Sequence, residues 1–535
     1  MFIFVGYIYR MPAVHLEVEK KYAADDAFEL PSLTELVLHA DGEAGAVGGG
    51  GPVTEAEAVQ QELKATYFDT ADLRLAAAGL TLRRRTGGDD AGWHLKVPAT
   101  GDARSEVRLP LGRAWRTVPE SLRRMVRVHS RGALLQPVAE IATDRTVRRL
   151  VDATGQVLAE VADDRVTARR LVTAGKAGSA GAGMTWREIE VELVGGAAEL
   201  LDAVDARLRE RGLAAASSAS KLAHVLNGAG RKRTEKARAS KVTAKAEAGV
   251  VVLAHIREQV EQIRAQDLPV RLDAPDSIHK MRVATRRLRS ALTTFKPLFD
   301  ADVARPLRSE LKWLAAELGA ARDAEVMRDR VTATMGADEA VDAAESGRAV
   351  EELDQVYREA HDRVLAELDG ERYHQLVEKL DSLVTAPPFT PRAGDRAGTV
   401  LPRLVERSYT AVRRLVEEAE AHPAGPEREE LLHDARKAAK AARYAGESVS
   451  RVFGPDATAF AEAMEAVQEA LGEHQDSVLT RDRLRTLGLS STSVEAAFLY
   501  GRLHALEQAR AEQFRDRFDE AWKAAQRKSL HRWTR

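Results

Sequence analysis

The sequence predicts an α+β protein in two parts, an antiparallel β domain followed by an all-α domain of two related helical bundles. Three observations predict it. Up to about residue 225, charged and apolar residues alternate with the period of two that strands require. From about Lys245 onward, Ala, Leu, Glu and Arg recur at helical spacing. Within that second part, two motifs return at a fixed offset, the mark of an internal repeat.

A chain of 535 residues is too long for one hydrophobic core. With 44% hydrophobic and 30% charged residues it is globular with a heavily charged surface. The 80 basic and 82 acidic residues leave a net charge of −2, so an anion site has to come from local clustering of Lys and Arg. That balance, and an aromatic content of 5%, argue against a nucleic-acid binder. The lack of cysteine excludes disulfides, thiolate metal sites and cysteine nucleophiles and fits the cytoplasm. The apolar run Phe2–Tyr9 is far shorter than the roughly 20 residues of a membrane span. Residues 1–12 read as an extension, with Met11 a candidate start.

Residues 13–227 carry the strands. His15–Glu19, Leu80–Arg83 and Trp186–Leu193 alternate, and turn signals at Gly87–Asp90, Thr100–Asp102 and Ala153–Gly155 separate them. Gly48–Gly51 and Ala177–Gly183 read as loops, and 228–244 as a basic linker. The helical domain spans 245–530, and the proline cluster in Ala386–Pro391 splits it into halves of about 245–385 and 395–530. His279, Arg282, Arg286 and Arg289 in the first half have the spacing of His433, Arg436, Lys440 and Arg443 in the second, an offset of 154 residues (433 − 279). Leu318-Gly319-Ala320-Ala321-Arg322-Asp323 and Leu471-Gly472-Glu473-His474-Gln475-Asp476 repeat at 153 (472 − 319).

Residues two apart in a strand share a face. Glu17, Glu19 and Lys21 therefore line up, as do Arg83 with Arg85, His94 with Lys96, Arg104 with Glu106, and Glu188 with Glu190 and Glu192. An acidic ladder repels itself unless it holds a divalent cation, and Mg²⁺ or Mn²⁺ favours carboxylate and phosphate oxygens together. A solvated face would explain one such strand. Several of them, with apolar residues on the opposite face, point to a barrel interior that receives a metal–triphosphate.

Glu17-Val18-Glu19-Lys20-Lys21 resembles the Glu-x-Glu-x-Lys signature of the CYTH family. Tyr67-Phe68-Asp69-Thr70, Gly79–Arg85, Trp93–Lys96, Arg104–Glu106, Glu188–Leu193 and Ser220-Lys221 follow in that family's order, over residues 13 to about 225. The resemblance implies an antiparallel eight-stranded β tunnel. Lys21, Arg83, Arg85, Lys96, Arg104, Arg145 and Lys221 would clamp phosphates there. Glu17, Glu19, Asp164, Glu188, Glu190 and Glu192 are the metal candidates, with the pair used among the last three open.

In the helical part, residues at 0, 3, 7 and 10 fall within about 80° of one another on a helix. The two repeated sets are therefore basic stripes, which Lys280, Arg287 and Lys437 could widen. Like charges at this spacing cost roughly 0.2–0.5 kcal/mol per pair. No acid lies between Ser277 and Phe299 or between Ala435 and Gly446 to offset them, and a linear polyanion would. His279–Arg289, with Leu318-Gly319, Arg322-Asp323, His433 and Arg443-Tyr444, resembles the CHAD family over roughly 245–525. That resemblance implies inorganic polyphosphate binding between two bundles by His279, Arg282, Arg286, Arg289, Arg322, His433, Arg436, Lys440 and Arg443.

The expected activity is Mg²⁺- or Mn²⁺-dependent hydrolysis of inorganic tripolyphosphate, joined to binding of long-chain polyphosphate, in the cytoplasm or at polyphosphate granules. The alternatives are an adenylate cyclase of class IV type and a non-catalytic polyphosphate scaffold.

Overall fold

The computed structural model describes residues 14–34, 53–98, 104–112, 116–171, 183–218, 220–227, 243–336, 343–490 and 494–534. The N-terminal extension, the loop Gly48–Gly51, most of the loop before Gly183 and nearly all of the basic linker lie outside them. The chain forms two units, Met1–Ala237 and Arg238–Arg535.

The first unit is one antiparallel sheet. Its strands are β1 (Val14–Glu17), β2 (Glu19–Ala24), β3 (Thr54–Glu55), β4 (Val59–Asp69), β5 (Thr81–Thr86), β6 (Gly92–Pro98), β7 (Arg104–Leu109), β8 (Gln136–Val151), β9 (Val157–Arg170), β10 (Met184–Leu193) and β11 (Ala214–Ala215). The spatial order is β1-β7-β6-β5-β4-β8-β9-β10-β2-β11, with β3 on β8. The expected count of eight is thus corrected to eleven. The excess arises because the first extended segment is interrupted at Val18 and because β3 and β11 are two-residue additions at the margins.

The interruption at Val18 is what closes the tunnel. β1 pairs with β7, and β2, one residue later, pairs with β10. A single run of chain therefore joins the two ends of the sheet, and the Leu193 N–H donates to the Val18 carbonyl (3.0 Å) across the seam. Closure of this kind removes exposed strand edges.

The alternation sorts the residues as the sequence suggested, with the charged face inside. On the outer face Tyr22, Val161, Ile189 and Val191 pack against Leu200, Leu201, Val204 and Leu208. Those leucines and the valine lie on α4 (Ala198–Glu210), which follows the short helices α1 (Arg74–Ala77), α2 (Glu120–Met125) and α3 (Arg127–Ser130). Each such side chain contributes about 1.5–3 kcal/mol by burial, and the Tyr22 hydroxyl donates to Asp205 on the same helix (2.7 Å). Helix α5 (Lys221–Asn227) packs Leu222 and Val225 against Tyr67, Ile141 and Val166.

The second unit is all helical: α6 (Ala248–Arg271), α7 (Ser277–Thr294), α8 (Ala301–Gly336), α9 (Ala343–Asp369), α10 (Glu371–Thr385), α11 (Ala397–Ala421), α12 (Pro426–Phe453), α13 (Pro455–Ser490) and α14 (Val494–Ala525). The basic stripes lie on α7 and α12, and the repeated Leu-Gly motifs on the following helices, α8 and α13. Helix α12 has Pro426 in its first turn, where a missing N–H costs nothing, and stops at Gly454, whose φ of 61° suits glycine. Among the described residues, no helix is long and apolar enough to cross a membrane.

Candidate functional site

Cross-strand register assembles the tunnel site. Arg145 on β8 stands opposite Asp164 on β9, Asp164 opposite Glu188 on β10, and Glu190 opposite Lys21 on β2. On the other wall Tyr67 faces Arg83, Arg83 faces His94, and Lys96 faces Glu106. Of these, Lys21, Tyr67, Arg83, Lys96, Arg145 and Glu190 line a cavity of about 360 Å³.

Two acidic groups on these strands differ in their charge balance. Asp164, Glu188 and Glu190 bring ligand oxygens within 4.8 Å of one another. The Lys221 ammonium sits among them, 2.8 Å from Asp164, 2.6 Å from Glu188 and 2.8 Å from Glu190. Ser220 accepts the Ala223 N–H (3.1 Å) at the start of α5 and so fixes the turn that delivers Lys221. Arg145 grips Asp164 through two 2.7 Å hydrogen bonds and reaches Glu190 at 2.6 Å. Lys21 also reaches Glu190, at 2.6 Å. Burial alone would raise the Glu190 carboxyl, but Lys21, Lys221 and Arg145 hold it well below its ordinary value. Burial likewise opposes the Lys221 charge, and Glu190, Asp164 and Glu188 override it and raise its pKa.

The second group is Glu17, Glu19 and Glu192. Glu17 contacts Lys96, and Glu19 lies 3.2 Å from Lys21, a lysine it shares with Glu190. No cation among the described residues pairs with Glu192. Burial, with Glu17 close by, pushes its carboxyl up to about 7. Hard oxygen donors with an excess of negative charge suit Mg²⁺ or Mn²⁺. Both acidic groups offer such donors, but among the described residues Glu192 is the carboxylate without an ion-pair partner.

Six of the seven predicted phosphate clamps, Lys21, Arg83, Arg85, Lys96, Arg145 and Lys221, line this cavity. Arg104 opens β7 opposite Glu17 in register, and its side chain lies outside the described residues. Three participants had no role assigned from the sequence, although Tyr67 stands in one of its motifs. Arg108 lines the cavity and approaches Glu17 at 3.5 Å. It lies two residues beyond Glu106 on the same strand, so the period-two pattern extended one step further would have found it. Arg149 lines the tunnel too, paired with Glu160 at 2.9 Å. Tyr67 places its hydroxyl 3.5 Å from Arg83. Burial would raise that phenol, but Arg83, Lys221 and Lys21 outweigh it and lower its pKa.

In the helical unit, a groove of about 590 Å³ is lined by α6, α7 and α12, with His279, Arg287, Lys440, Arg443 and Tyr444 on its walls. Burial and the neighbouring Arg286, Arg436, Arg282 and Arg443 push the Lys440 ammonium down to about 8. Burial lowers Arg286 as well, with Arg282, Arg289 and Arg436 contributing. The two stripes therefore converge on one patch of unneutralised charge. Not every predicted residue stays uncommitted. Arg322 pairs with Glu325 (2.8 Å), and Arg443 with Glu447 (2.8 Å) and Glu465 (2.7 Å). His433 is held by Gln475. Of the off-stripe residues, Arg287 enters the groove and meets Glu447 at 3.0 Å, while Lys280 and Lys437 pair outward with Asp276 and Asp434.

The chain is similar to known proteins. Profiles of two domains match the chain, the CYTH domain over residues 50–226 and the CHAD domain over residues 254–485. The Mycobacterium tuberculosis protein Rv2226 is 36% identical over 523 residues, covering 95% of this chain and 96% of its own. Among solved structures, PptA from Streptomyces chartreusis is similar at 22% identity and a TM-score of 0.41, over 52% of this chain and 100% of its own. The CHAD domain from the plant Ricinus communis is similar at 23% identity and a TM-score of 0.40, over 53% of this chain and 93% of its own.

Proposed function

This chain belongs to the proteins that join a CYTH domain to a CHAD domain, and from that premise we propose that its tunnel hydrolyses inorganic triphosphate while its helical groove binds inorganic polyphosphate. The observation that carries the reading is the pairing, in one cavity, of converging Lys and Arg side chains with a carboxylate group short of positive charge.

Arg83 and Arg85 would orient the phosphates by two-pronged contacts, and Arg145, Lys21, Lys96 and Lys221 would balance their charge. Magnesium or manganese held by Glu17, Glu19 and Glu192 would supply further positive charge and a water of lowered pKa. In-line attack of water breaks the terminal phosphoanhydride bond, releasing orthophosphate and leaving pyrophosphate. Such a step depends on positioning and charge neutralisation rather than on a protein nucleophile. Among the described residues, Tyr67 is the one aromatic ring on the cavity wall, and Arg83 engages its hydroxyl. A nucleobase would thus find little to stack on, which favours an inorganic substrate.

A phosphate-release panel of tripolyphosphate, ATP, thiamine triphosphate and long polyphosphate, with Mg²⁺ or Mn²⁺, tests this. Tripolyphosphate is expected to be the preferred substrate. Cyclic AMP and pyrophosphate from ATP would make the tunnel a cyclase, and no turnover of any of the four would leave a binding scaffold.

The groove carries its own pH signature. Lys440 loses its proton near 8 in the folded protein, against an ordinary value of 10.5. Polyphosphate affinity is therefore expected to fall as pH rises through about 8, with proton uptake on binding above it. Between about 8 and 10.5 the unfolded chain keeps a proton that the folded one has lost, so this lysine makes stability rise with pH across that window. Lys440→Arg should remove both effects. Titrations of the two proteins at several pH values, at one salt concentration, provide the check, and identical profiles would refute the role of Lys440.

A further inference from the structure

The repeated Leu-Gly motif places a glycine in the interior of a long helix twice, Gly319 in α8 and Gly472 in α13. Glycine weakens a helix interior relative to alanine, so a second copy at the same place in the repeat calls for a cause. In both halves an arginine of the basic stripe lies against it. A Cβ on Gly319 would stand 3.5 Å from Arg282 Nε and 3.6 Å from its Nη2. A Cβ on Gly472 would stand 3.1 Å from Arg436 Nε and 3.3 Å from its Nη2. Arg282 and Arg436 are themselves repeat equivalents, 154 residues apart (436 − 282).

These two arginines differ from several nearby ones in what holds them. Arg443, Arg322 and Arg287 are tied to carboxylates. Arg282 and Arg436 have no acidic partner among the described residues, and the Nε of each is buried without a hydrogen-bond partner. A buried guanidinium nitrogen left unsatisfied is costly. Both stand on the two helices whose Arg287, Lys440 and Arg443 line the groove, and Arg436 itself lines, with Gly472, a neighbouring cavity.

We propose that Gly319 and Gly472 are positioning residues, each a seat that holds a stripe arginine by shape instead of by a carboxylate. This rests on the reading of the groove as a polyphosphate site. A carboxylate would fix the same side chain equally well, but it would cancel the charge and occupy the donors that a phosphate oxygen needs. A bare Cα surface fixes it and leaves both free. The two seats differ in tolerance. At Gly319 an added methyl makes ordinary contact, whereas at Gly472 the Arg436 guanidinium has to move by a few tenths of an ångström. The moving atoms are the end of a flexible side chain, so the helix itself is not strained.

The test is Gly472→Ala beside Gly319→Ala in the full chain, with long-chain polyphosphate titrated at low salt, where counterion release favours binding. Neither variant is expected to lower the melting temperature. Gly472→Ala is expected to weaken binding by about fivefold, the partial loss of one charge-assisted contact, and Gly319→Ala by no more than about twofold. In an Arg436→Lys background, Gly472→Ala should cost nothing further. Unchanged binding by Gly472→Ala, or an equal loss in the Arg436→Lys background, overturns the proposal. Crystal structures of the wild type and Gly472→Ala separate this from the functional reading. A wild type that binds no polyphosphate, with Arg436 displaced only in the variant, overturns the reading and keeps the seat. An undisplaced Arg436 overturns the seat.

Discussion

Glu192→Gln is expected to make the metal-free tunnel more stable while abolishing most of its metal-activated turnover. The two effects share one cause. Glu192 has no ion-pair partner among the described residues, and burial, with Glu17 near and only partly offset by Lys96, raises its carboxyl from 4.5 to about 7. Between those values the folded protein holds a proton that the unfolded chain does not, so the metal-free wild type loses stability as pH rises through that window. The glutamine variant has no such slope. Above it the variant should gain about 1–2 kcal/mol, after allowance for the partial exposure of the side chain. Against this, removing a carboxylate from the Glu17, Glu19 and Glu192 group should cut Mg²⁺- or Mn²⁺-dependent phosphate release at least about a hundredfold. Stability is read by hydrogen exchange in β10, and turnover by phosphate release over a metal titration. Retained turnover with unchanged metal dependence would place the cation elsewhere, with Asp164, Glu188 and Glu190 the next candidates.

The contrast between the two acidic groups shows where the sequence was legible. The period-two alternation put Glu188, Glu190 and Glu192 on one face, and the structure keeps them there. It could not say which of them meets a lysine, because that depends on register. Glu190 is opposite Lys21, whereas Glu192 is opposite Glu19. One residue of slip would have reversed every facing. The strand count failed for a related reason. Nothing local to Val18 announces that the chain there changes partner from β7 to β10, since tunnel closure is a long-range property. In the helical unit, the 3.6-residue period was enough to build both stripes. Which arginines are neutralised was hidden, because Glu447 and Glu465 lie beyond the acid-free windows and reach Arg443 from one turn later on α12 and from α13. The glycines of the Leu-Gly motifs were visible as a repeat, but their meaning needed the neighbouring helix.

Glu190→Gln is expected to act in the opposite sense to Glu192→Gln. Glu190 accepts from Lys21 at 2.6 Å and Arg145 at 2.6 Å, and Lys221 stands 2.8 Å away. All three cations are largely buried, so neutralising their shared carboxylate leaves positive charge in a poorly solvated space. Removing one partner of a buried ionic cluster typically costs about 3–5 kcal/mol, and Asp164 and Glu188 remain to absorb part of it. The loss should be largest in the metal-free, phosphate-free protein. Because the deficit is then of negative charge, tripolyphosphate should restore more stability to this variant than to the wild type, through binding to the folded state alone. Hydrogen exchange in β8, β9 and β10, with and without tripolyphosphate, reads both halves of the prediction. Wild-type protection in the variant would mean that Asp164 and Glu188 suffice for the three cations. Lost protection that tripolyphosphate does not restore would mean that Lys21, Arg145 and Lys221 serve the fold and not the phosphate.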